Sequence, residues 1–419
     1  MGLNKVDLFS SLADAIEKKT KGNVRIGITA VGSEHPPDML VKASVDAVNS
    51  NGDIEVVILA PFQVLKDNHI KVMEYKFNAK NQKNALSRDF QEENDGIVGI
   101  AADSLSDAHK KMEHLLEDKA IDGAVTMHYN FPLGISTVGR VVTPGRGKPM
   151  FISTTTGASA ADRVEAMVKN AIYGIITAKA FGFLEPSVGI LNLDGARQAE
   201  RLLKILAEKG YKICFASSIR ADGGCIMRGN DLLSGSCDVM VTDTLTGNLL
   251  IKIFSAYTTG GDYEAAGWGY GPGVGESMDN IILIISRASG APVVKGAIEY
   301  AAKMVRGNLI DRIHKEFQIL KDLGFYDILR AEKVGDNINK AEEISNSTLK
   351  KETVPPPRKL VTKEISGIDV LQMEDATRAL WENNIYAETG MGCTGPVILV
   401  AEEDIEPAVN ILKLKGYIL

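Results

Sequence analysis

The chain has 419 residues, of which 45% are hydrophobic and 24% charged, with a formal net charge of −7 and a sequence pI of about 5.6. This acidic balance disfavours a nucleic-acid-binding protein, which typically carries a basic excess or a basic stripe. The sequence has no continuous apolar run of about 18 residues, and its N-terminal stretch lacks the apolar core of a secretory signal. We therefore predict a cytoplasmic protein without a membrane span.

Short apolar, β-branched runs alternate with helical patterns along most of the chain. Their continuous apolarity is typical of strands that are covered on both faces. Repeated strand–helix units predict an α/β fold with a three-layer, mostly parallel sheet. The predicted strands lie at 23–32, 53–60, 97–102, 122–127, 149–154, 187–193, 238–243 and 280–286, and the predicted helices include 161–182, 196–210 and 296–324.

The amino-acid composition changes near the C-terminus, where a charged, proline-containing stretch precedes a second set of predicted helices and strands. There we predict a helix over 373–384, a strand over 396–400 and a helix over 404–416 with Asp404 as its N-cap. These elements indicate a small C-terminal α/β module. The predicted division is an N-terminal helix (1–22), a body (23–325), a linker (326–360) and the module (361–419).

The four cysteines lack the CxxC spacing of a structural zinc site, and we predict no metal. In a reducing cytoplasm they should be free thiols. We interpret Cys225 and Cys237 as small core residues and Cys214 as a buried strand residue. Cys393 differs, because glycines stand on both sides of it in the motif MGCTG.

Two polar turns follow predicted strands, at the edge of a parallel sheet where ligands usually bind. Hydroxyls, a side-chain amide and a helix N-terminus together favour a bound anion. The alternative is that these residues only cap helices, which is common for Ser, Thr and Asp. The candidate phosphate- and acyl-binding residues are Thr155, Thr156, Gly157, Ser159, Asp243, Thr246, Gly247 and Asn248.

His128 and Asn130 follow the strand predicted at 122–127, although a lone histidine is more often a structural hydrogen-bonding group. The glycine-rich stretch 267–277 fits neither the dinucleotide fingerprint nor a P-loop. We predict a mobile loop that either closes over a substrate or merely connects two elements. Several anion-binding turns without a nucleotide motif predict a small phosphate-like ligand.

These turns resemble those of the PlsX-type phosphate acyltransferases. The likeness is carried by KPMFISTTTGASA (148–160), FLEPSVGILNLDG (183–195) and DVMVTDTLTGNLLIKI (238–253). The resemblance implies a PlsX-like body, a homo-oligomer, and acyl transfer with inorganic phosphate as co-substrate and no other cofactor. The amphipathic hairpin that PlsX enzymes use at membranes has no counterpart here, so neither a membrane role nor a long-chain substrate is implied.

The body together with the tail ETGMGCTGPVILV (388–400) resembles the PlsX-like alpha subunits of protein C of the glycine/sarcosine/betaine reductase complex. This resemblance implies phosphorolysis of an enzyme-bound acetyl thioester to acetyl phosphate. It also implies a thiolase-like partner subunit and selenoprotein A as carboxymethyl donor. In that reaction Cys393 would carry or attack the acyl group, and His128 and Asn130 would stabilise the oxyanion.

Three alternatives stay open at the level of sequence. Cys393 could simply pack against its own module. The chain could be a stand-alone PlsX- or phosphotransacetylase-like enzyme that uses acyl carrier protein or coenzyme A. It could also be a non-catalytic, phosphate-binding scaffold for its partner.

Overall fold

The computed structural model describes residues 23–73, 96–219, 224–331, 354–368, 372–392 and 395–418. The helix predicted over 1–22, most of the predicted linker, and Cys393 lie outside the described residues. The chain divides into two compact units, which are described separately here. Unit 1 comprises Met1–Met127, Ser255–Gly271 and Asn280–Asn308, and unit 2 comprises His128–Phe254, Pro272–Asp279 and Leu309–Leu419. The domain division predicted from the sequence stays a prediction.

Unit 1 is built on a parallel sheet in the order β13-β5-β1-β2-β4-β3. Consecutive residues of its central strands are buried, as expected when helices cover both faces of a sheet. The strands are β1 (Val24–Thr29), β2 (Ile54–Ala60), β3 (Val72–Met73), β4 (Ile97–Ala101), β5 (Gly123–Thr126) and β13 (Ile282–Ile284). The helices are α1 (Pro37–Ser50), α2 (Phe62–Asp67), α3 (Leu105–Glu117) and α8 (Ala291–Arg306).

Unit 2 contains a mixed sheet in the order β10-β8-β11-β7-β6-β12, with β9 beside β8. Strands β10, β8, β11 and β7 are parallel, whereas β6 runs antiparallel to β7 and to β12. The strands are β6 (Ile135–Val142), β7 (Pro149–Ala158), β8 (Ser187–Leu191), β9 (Cys214–Phe215), β10 (Ile226–Met227), β11 (Val239–Val241) and β12 (Gly271–Val274). The helices are α4 (Arg163–Phe181), α5 (Ala196–Glu208), α6 (Gly229–Ser234), α7 (Thr244–Ala256) and α9 (Leu309–Asp322).

The C-terminal module, which belongs to unit 2, has a three-stranded antiparallel sheet in the order β14-β16-β15. Its elements are β14 (Lys363–Ser366), α10 (Met373–Glu382), β15 (Ala387–Gly392), β16 (Gly395–Val400) and α11 (Ile405–Leu414). Ile365 and Ile398 pack with Leu380 of α10 and Leu412 of α11 in a buried apolar cluster. The helices therefore cover one face of the small sheet.

The fold class predicted from the sequence is confirmed, and a strand overlaps each of the eight predicted runs, although β7 extends four residues beyond the run predicted at 149–154. The helical stretch predicted over 296–324 is wrong as a single helix. It breaks between α8 and α9 at Asn308, whose φ of +52° is outside the helical range. The prediction that Cys214 is buried is also wrong: this cysteine is exposed on the two-residue strand β9.

Asp404 precedes α11 as predicted, but its side chain makes no capping hydrogen bond. Its carboxylate instead accepts a hydrogen bond from the Lys359 ammonium at 2.7 Å. The prediction of a loop over the glycine-rich stretch 267–277 is wrong in part, because the stretch contains the buried strand β12.

Two further features follow from the described residues alone. None of their helices is long and apolar enough to cross a membrane. No group of three or more His, Cys, Asp or Glu side chains within the described ranges is arranged to hold a metal ion.

Candidate functional site

The candidate site lies where β7 and β11 end side by side in unit 2. The two strands pair in parallel, with Val241 of β11 opposite Ser153 of β7. β7 continues to Ala158 and α7 begins at Thr244. Most of the predicted polar residues therefore do not lie in loops: Thr155 to Gly157 belong to the end of a strand, and Thr246 to Asn248 to the first turns of a helix. Ser159 and Asp243 lie in the connections just outside these elements.

A bulge in β7 shapes this end of the strand. In the antiparallel pairing of β6 with β7, Ser136 lies opposite Gly157 but Val138 lies opposite Ser153. Thr137 alone thus faces the three threonines at 154–156. Such bulges redirect side chains and are frequent next to active sites.

Helix α7 packs directly on the bulge. The side-chain amide of Asn248 donates to the Thr155 carbonyl at 3.1 Å, and the Thr244 hydroxyl donates to the Gly157 carbonyl at 2.8 Å. A Cβ atom on Gly247 would lie 1.7 Å from the Thr154 carbonyl oxygen. The structure therefore brings the two predicted sets of residues together, and only glycine fits at position 247.

The hydroxyl of Thr137 organises the bulge from the β6 side. It lies 2.6 Å from the Thr155 hydroxyl and 2.9 Å from the Thr156 hydroxyl, and it accepts from the Thr156 backbone N–H at 2.9 Å. Thr137 and Thr155 are fully buried, whereas Thr156 is partly exposed. Sequence reasoning missed Thr137 because β6 was not recognised as a strand.

Replacing Thr137 by valine tests this arrangement. The change removes the hydroxyl but keeps the shape, so that the Thr156 N–H and the Thr155 hydroxyl lose a partner. We expect the free energy of unfolding to fall by about 1–3 kcal/mol, the cost of leaving a buried polar group unpaired. Thermal unfolding measures the change, and Thr137→Ser, which keeps the hydroxyl, should lose less stability. Equal stability of Thr137→Val and wild type would show that the hydroxyl does not organise the bulge.

Ser159 is a supporting residue in this geometry. Its hydroxyl lies 2.7 Å from Oδ1 of Asn170 on α4, and the Asn170 amide donates to the Thr242 carbonyl at 2.9 Å. Ser159 is 1% exposed and Thr242 is fully buried. This chain of hydrogen bonds fixes the ends of β7 and β11 to α4, and Asn170 was not predicted from the sequence.

Asp243 caps the helix that carries the second half of the site. Its carboxylate accepts from the Thr246 backbone N–H at 2.7 Å, and its carbonyl accepts from Gly247 N–H at 2.9 Å. The carboxylate already interacts favourably with the positive end of the α7 dipole. Asp243 therefore holds the first turn in place rather than offering a donor to an anion.

His128 and Asn130 lie in the segment that leads into β6, and both are partly exposed. The segment meets the site at Gly134, whose backbone N–H donates to the Ala158 carbonyl at 2.8 Å. The side-chain amide of Asn130 donates to the carboxylate of Glu364 on β14. Glu364 was not predicted, and no local pattern could connect it with a residue 234 positions away.

The C-terminal module also contacts this segment through its backbone. Leu133 N–H donates to the Thr389 carbonyl at 2.8 Å, and Pro132 forms an antiparallel bridge with Gly390 of β15. Strand β15 is the edge of the module sheet, and this bridge covers part of that edge. The module therefore lies against the segment that carries His128 and Asn130.

Two of the cysteines have core positions, as predicted. Cys225 and Cys237 are buried, and burial raises the pKa of each thiol to about 12. Both thiols are therefore protonated at neutral pH and are poor nucleophiles. Cys393, the remaining candidate, lies outside the described residues.

Comparisons with known proteins relate the chain to acyltransferases. Residues 97–399 match a family model described as "Fatty acid synthesis protein". The alpha subunit of glycine/sarcosine/betaine reductase complex component C from Peptoclostridium acidaminophilum is 49% identical over 98% of this chain and 97% of that protein. A phosphate acyltransferase of Clostridium acetobutylicum is 25% identical over 55% of this chain and 71% of the relative.

Solved structures give a weaker likeness. A branched-chain phosphotransacylase from Enterococcus faecalis aligns with a TM-score of 0.41 and 13% identity, over 67% of this chain and 99% of that chain. A 4-hydroxythreonine-4-phosphate dehydrogenase from Klebsiella pneumoniae aligns with a TM-score of 0.40 and 11% identity, over 68% of this chain and 100% of that chain. The resemblance inferred from the sequence is confirmed by the relatives rather than by these folds.

Proposed function

This chain belongs to the fatty acid synthesis protein family, with a reductase component C alpha subunit and phosphate acyltransferases among its relatives, and from that premise we propose that it forms acetyl phosphate. The proposed reaction is phosphorolysis of an enzyme-bound acetyl thioester. A phosphate oxygen attacks the carbonyl carbon, the C–S bond breaks, and its electron pair leaves on sulfur. Thiolate is a competent leaving group for this step.

The observation that supports this proposal best is the meeting of the β7 bulge with the first turns of α7. Thr156, Thr246 and Asn248 are partly exposed there and offer hydroxyl and amide donors. Gly157 is buried, and a Cβ there would lie 2.6 Å from the Ile135 carbonyl oxygen, so glycine lets β6 pack closely on the bulge. We assign Thr156, Thr246 and Asn248 to phosphate and acyl binding, and Gly157 to shaping the bulge beside them. Thr155, Ser159, Asp243 and Gly247 would hold them in place, as their buried or capping hydrogen bonds indicate.

Phosphate would be held here without a lysine or arginine among the predicted site residues. The Asp243 carboxylate already accepts from the first turn of α7, so the donors to phosphate would be the side chains of Thr156, Thr246 and Asn248. Neutral donors can bind a dianion when their dipoles are fixed and need no reorganisation. His128 and Asn130 remain our candidates for stabilising the oxyanion. Since one N–H of Asn130 already donates to Glu364, only its second amide hydrogen would be available for that role.

For Cys393 we propose the role of acyl carrier. Its glycine neighbours leave room for an acetyl group, and β15 and β16, which flank it in the sequence, belong to a module that touches the segment bearing Asn130. A thioester on Cys393 would be the acetyl donor to phosphate. We further propose selenoprotein A as the carboxymethyl donor and a thiolase-like protein as the partner subunit. Formation of the acetyl thioester would break the Se–C bond, release water and reduce the methylene carbon by two electrons, which the selenium and a thiol would supply by forming a selenenyl sulfide. No metal or organic cofactor enters this scheme.

Two alternative functions predict different experimental results. A stand-alone enzyme would use acyl carrier protein or coenzyme A thioesters as donors. A non-catalytic scaffold would bind phosphate without turnover. The reductase subunit matches this chain over 98% of its length, tail included, whereas the Clostridium acetobutylicum phosphate acyltransferase matches 55%. That difference favours the enzyme-bound thioester.

We expect the purified chain to form acetyl phosphate from a small acetyl thioester, such as acetyl-pantetheine, only when inorganic phosphate is present. Arsenate should replace phosphate and release acetate, because acyl arsenates hydrolyse. Acetyl phosphate is measured by phosphorus NMR, because hydroxylamine would also react with the thioester donor. Activity only after addition of the partner subunit would support a shared site. Phosphate binding without turnover in any combination would support the scaffold and contradict the proposal.

A further inference from the structure

Phe131 is a buried aromatic residue beside the candidate site. It follows Asn130 directly and is 3% exposed. A Cβ atom on Gly273 of β12 would lie 2.5 Å from Cε1 of the Phe131 ring and 2.6 Å from its Cζ. The ring therefore occupies the position that a side chain at residue 273 would otherwise fill.

The pairing of β12 with β6 places this ring next to the β7 bulge. Gly273 lies opposite Thr137 in the antiparallel register. Residues directly opposite each other in such a pair have their Cβ atoms on the same face of the sheet, about 5 Å apart. The Thr156 hydroxyl on β7 lies 2.9 Å from that of Thr137. The ring is therefore on one side of Thr137, and the proposed phosphate-binding residue Thr156 is on the other.

Contacts with neighbouring residues hold Phe131 in this position. The Tyr129 ring packs edge-on against the Phe131 ring, with the two centroids 5.0 Å apart. Aromatic pairs of this geometry contribute stability beyond the burial of their area. A Cβ on Gly390 of β15 would lie 3.5 Å from the Phe131 carbonyl oxygen, and Pro132 forms its bridge with the same glycine. We therefore interpret the ring as a rigid wall.

The polarity of the surrounding residues gives the direction of the acyl chain. Thr246 and Asn248 are polar and belong to α7, which contacts Thr155 on the β7 side of the bulge. An acyl chain is stabilised by apolar surface and not by such groups. The Phe131 ring offers apolar surface on the opposite side, beside β12. A chain longer than acetyl would therefore be directed toward volume that the ring already fills.

We propose that Phe131 limits the length of the acyl group that the site accepts. The inference rests on the acyl transfer proposed above and names its substrate class, the thioesters of the shortest acyl groups. The carbonyl carbon that phosphate attacks must lie close to Thr156, where phosphate is held. An acetyl group ends one carbon beyond that carbonyl, whereas a butanoyl group has two further carbons and would collide with the ring.

Acyl-pantetheines of two lengths test the proposal on the full chain, with acyl phosphate followed by phosphorus NMR. We expect wild type to prefer acetyl- over butanoyl-pantetheine roughly a hundredfold in kcat/KM, because a fitted pocket discriminates roughly 10- to 200-fold per methylene. Phe131→Ala should narrow this preference by about tenfold or more, mainly through a gain with the butanoyl donor. Phe131→Leu, which removes fewer carbon atoms, should narrow it less.

A second substitution tests whether the vacated space itself sets the preference. In the Phe131→Ala background, Gly273→Val places a side chain where the ring was, and valine is favourable in a strand. The double variant should recover most of the preference for the acetyl donor. A general loosening of the fold would not be reversed by this change.

Phe151→Ala is the matched control for the loss of a buried ring. Phe151 is 1% exposed and packs against Phe181 and Phe183 near the start of β7, away from the bulge. Both alanine variants should lose stability, because each leaves a cavity. Only the variant at Phe131 should change the preference between acetyl and butanoyl donors.

The possible outcomes separate this inference from the proposed function. A wild type that uses both donors equally, or a folded Phe131→Ala variant with unchanged preference, would overturn the length limit and leave acetyl phosphate formation in place. If Phe131→Ala fails to unfold cooperatively, Phe131→Leu decides in its place. Absence of acyl phosphate from every donor, with and without the partner subunit, would contradict the proposed function and the length limit with it.

Discussion

Replacing Cys393 by alanine is expected to lower the rate of acetyl phosphate formation at least about a thousandfold. In the proposed reaction the Cys393 thiol carries the acetyl group, and removing a covalent nucleophile usually eliminates most of the rate enhancement. Phosphate binding should be unchanged, because the β7 bulge and α7 contain no part of the tail. Loss of turnover with intact phosphate binding would therefore assign Cys393 to the acyl path.

The matched control is Cys214→Ala, which removes an exposed thiol on β9. It should retain full activity. Mass spectrometry adds a direct readout: incubation with the acetyl thioester should add one acetyl group to the peptide containing Cys393 and none to that containing Cys214. Equal activity of wild type and Cys393→Ala would show that phosphate attacks a free thioester and that Cys393 is structural.

Gly247→Ala is expected to be the most damaging small change in the described part of the site. Alanine normally stabilises a helix over glycine by about 1 kcal/mol. Here the added Cβ would lie 1.7 Å from the Thr154 carbonyl oxygen and 2.7 Å from the Thr242 hydroxyl. Helix α7 or the bulge must shift, and such overpacking costs about 1–3 kcal/mol or more. A displacement of about 1 Å at the site should also reduce activity roughly a hundredfold.

Gly229→Ala provides the comparison for this change. Gly229 also opens a helix, α6, but a Cβ there would meet no atom within 4 Å. Its thermal midpoint and activity should match or exceed those of wild type. We expect the midpoint of Gly247→Ala to fall by several degrees. If both alanine variants behave like wild type, the close approach of α7 to Thr154 is not a constraint on folding or function.

The parallel part of the fold was predictable because buried strands leave a continuous apolar signal. The runs at 54–60 and 97–101 are buried at nearly every position and could be placed from sequence. Strand β6 has no such run, since Ser136, Thr137 and Gly139 interrupt it. Its polar residues are buried against the bulge, and this burial depends on a strand pairing that local sequence does not specify.

The two predicted sets of polar residues lie together in the structure, but several of them have a different local structure from the turns that were predicted. Thr155 and Ser159 were expected in a turn, yet both are buried and bonded to Thr137 and Asn170. A run of threonines before a glycine is as typical of a polar turn as of a bulged strand. Only the β6 pairing turns it into a bulged strand.

Cys214 also shows that local sequence does not reveal how a strand is paired. Its neighbours Ile213 and Phe215 predict a buried strand, but β9 has two residues and, among the strands that the structure describes, pairs with β8 alone. Apolar neighbours indicate a strand and do not reveal whether the strand lies at an edge.

The C-terminal module is attached by two kinds of contact, which constrain the amino-acid sequence to different degrees. The bridge between Pro132 and Gly390 and the bond from Leu133 to Thr389 are made by main-chain atoms. Most substitutions leave such atoms in place, so the residue types at these positions can change without loss of the contact. The bond between Asn130 and Glu364 needs a donor opposite an acceptor. A change at one of these two positions therefore favours a compensating change at the other, and the module stays attached while its surroundings diverge.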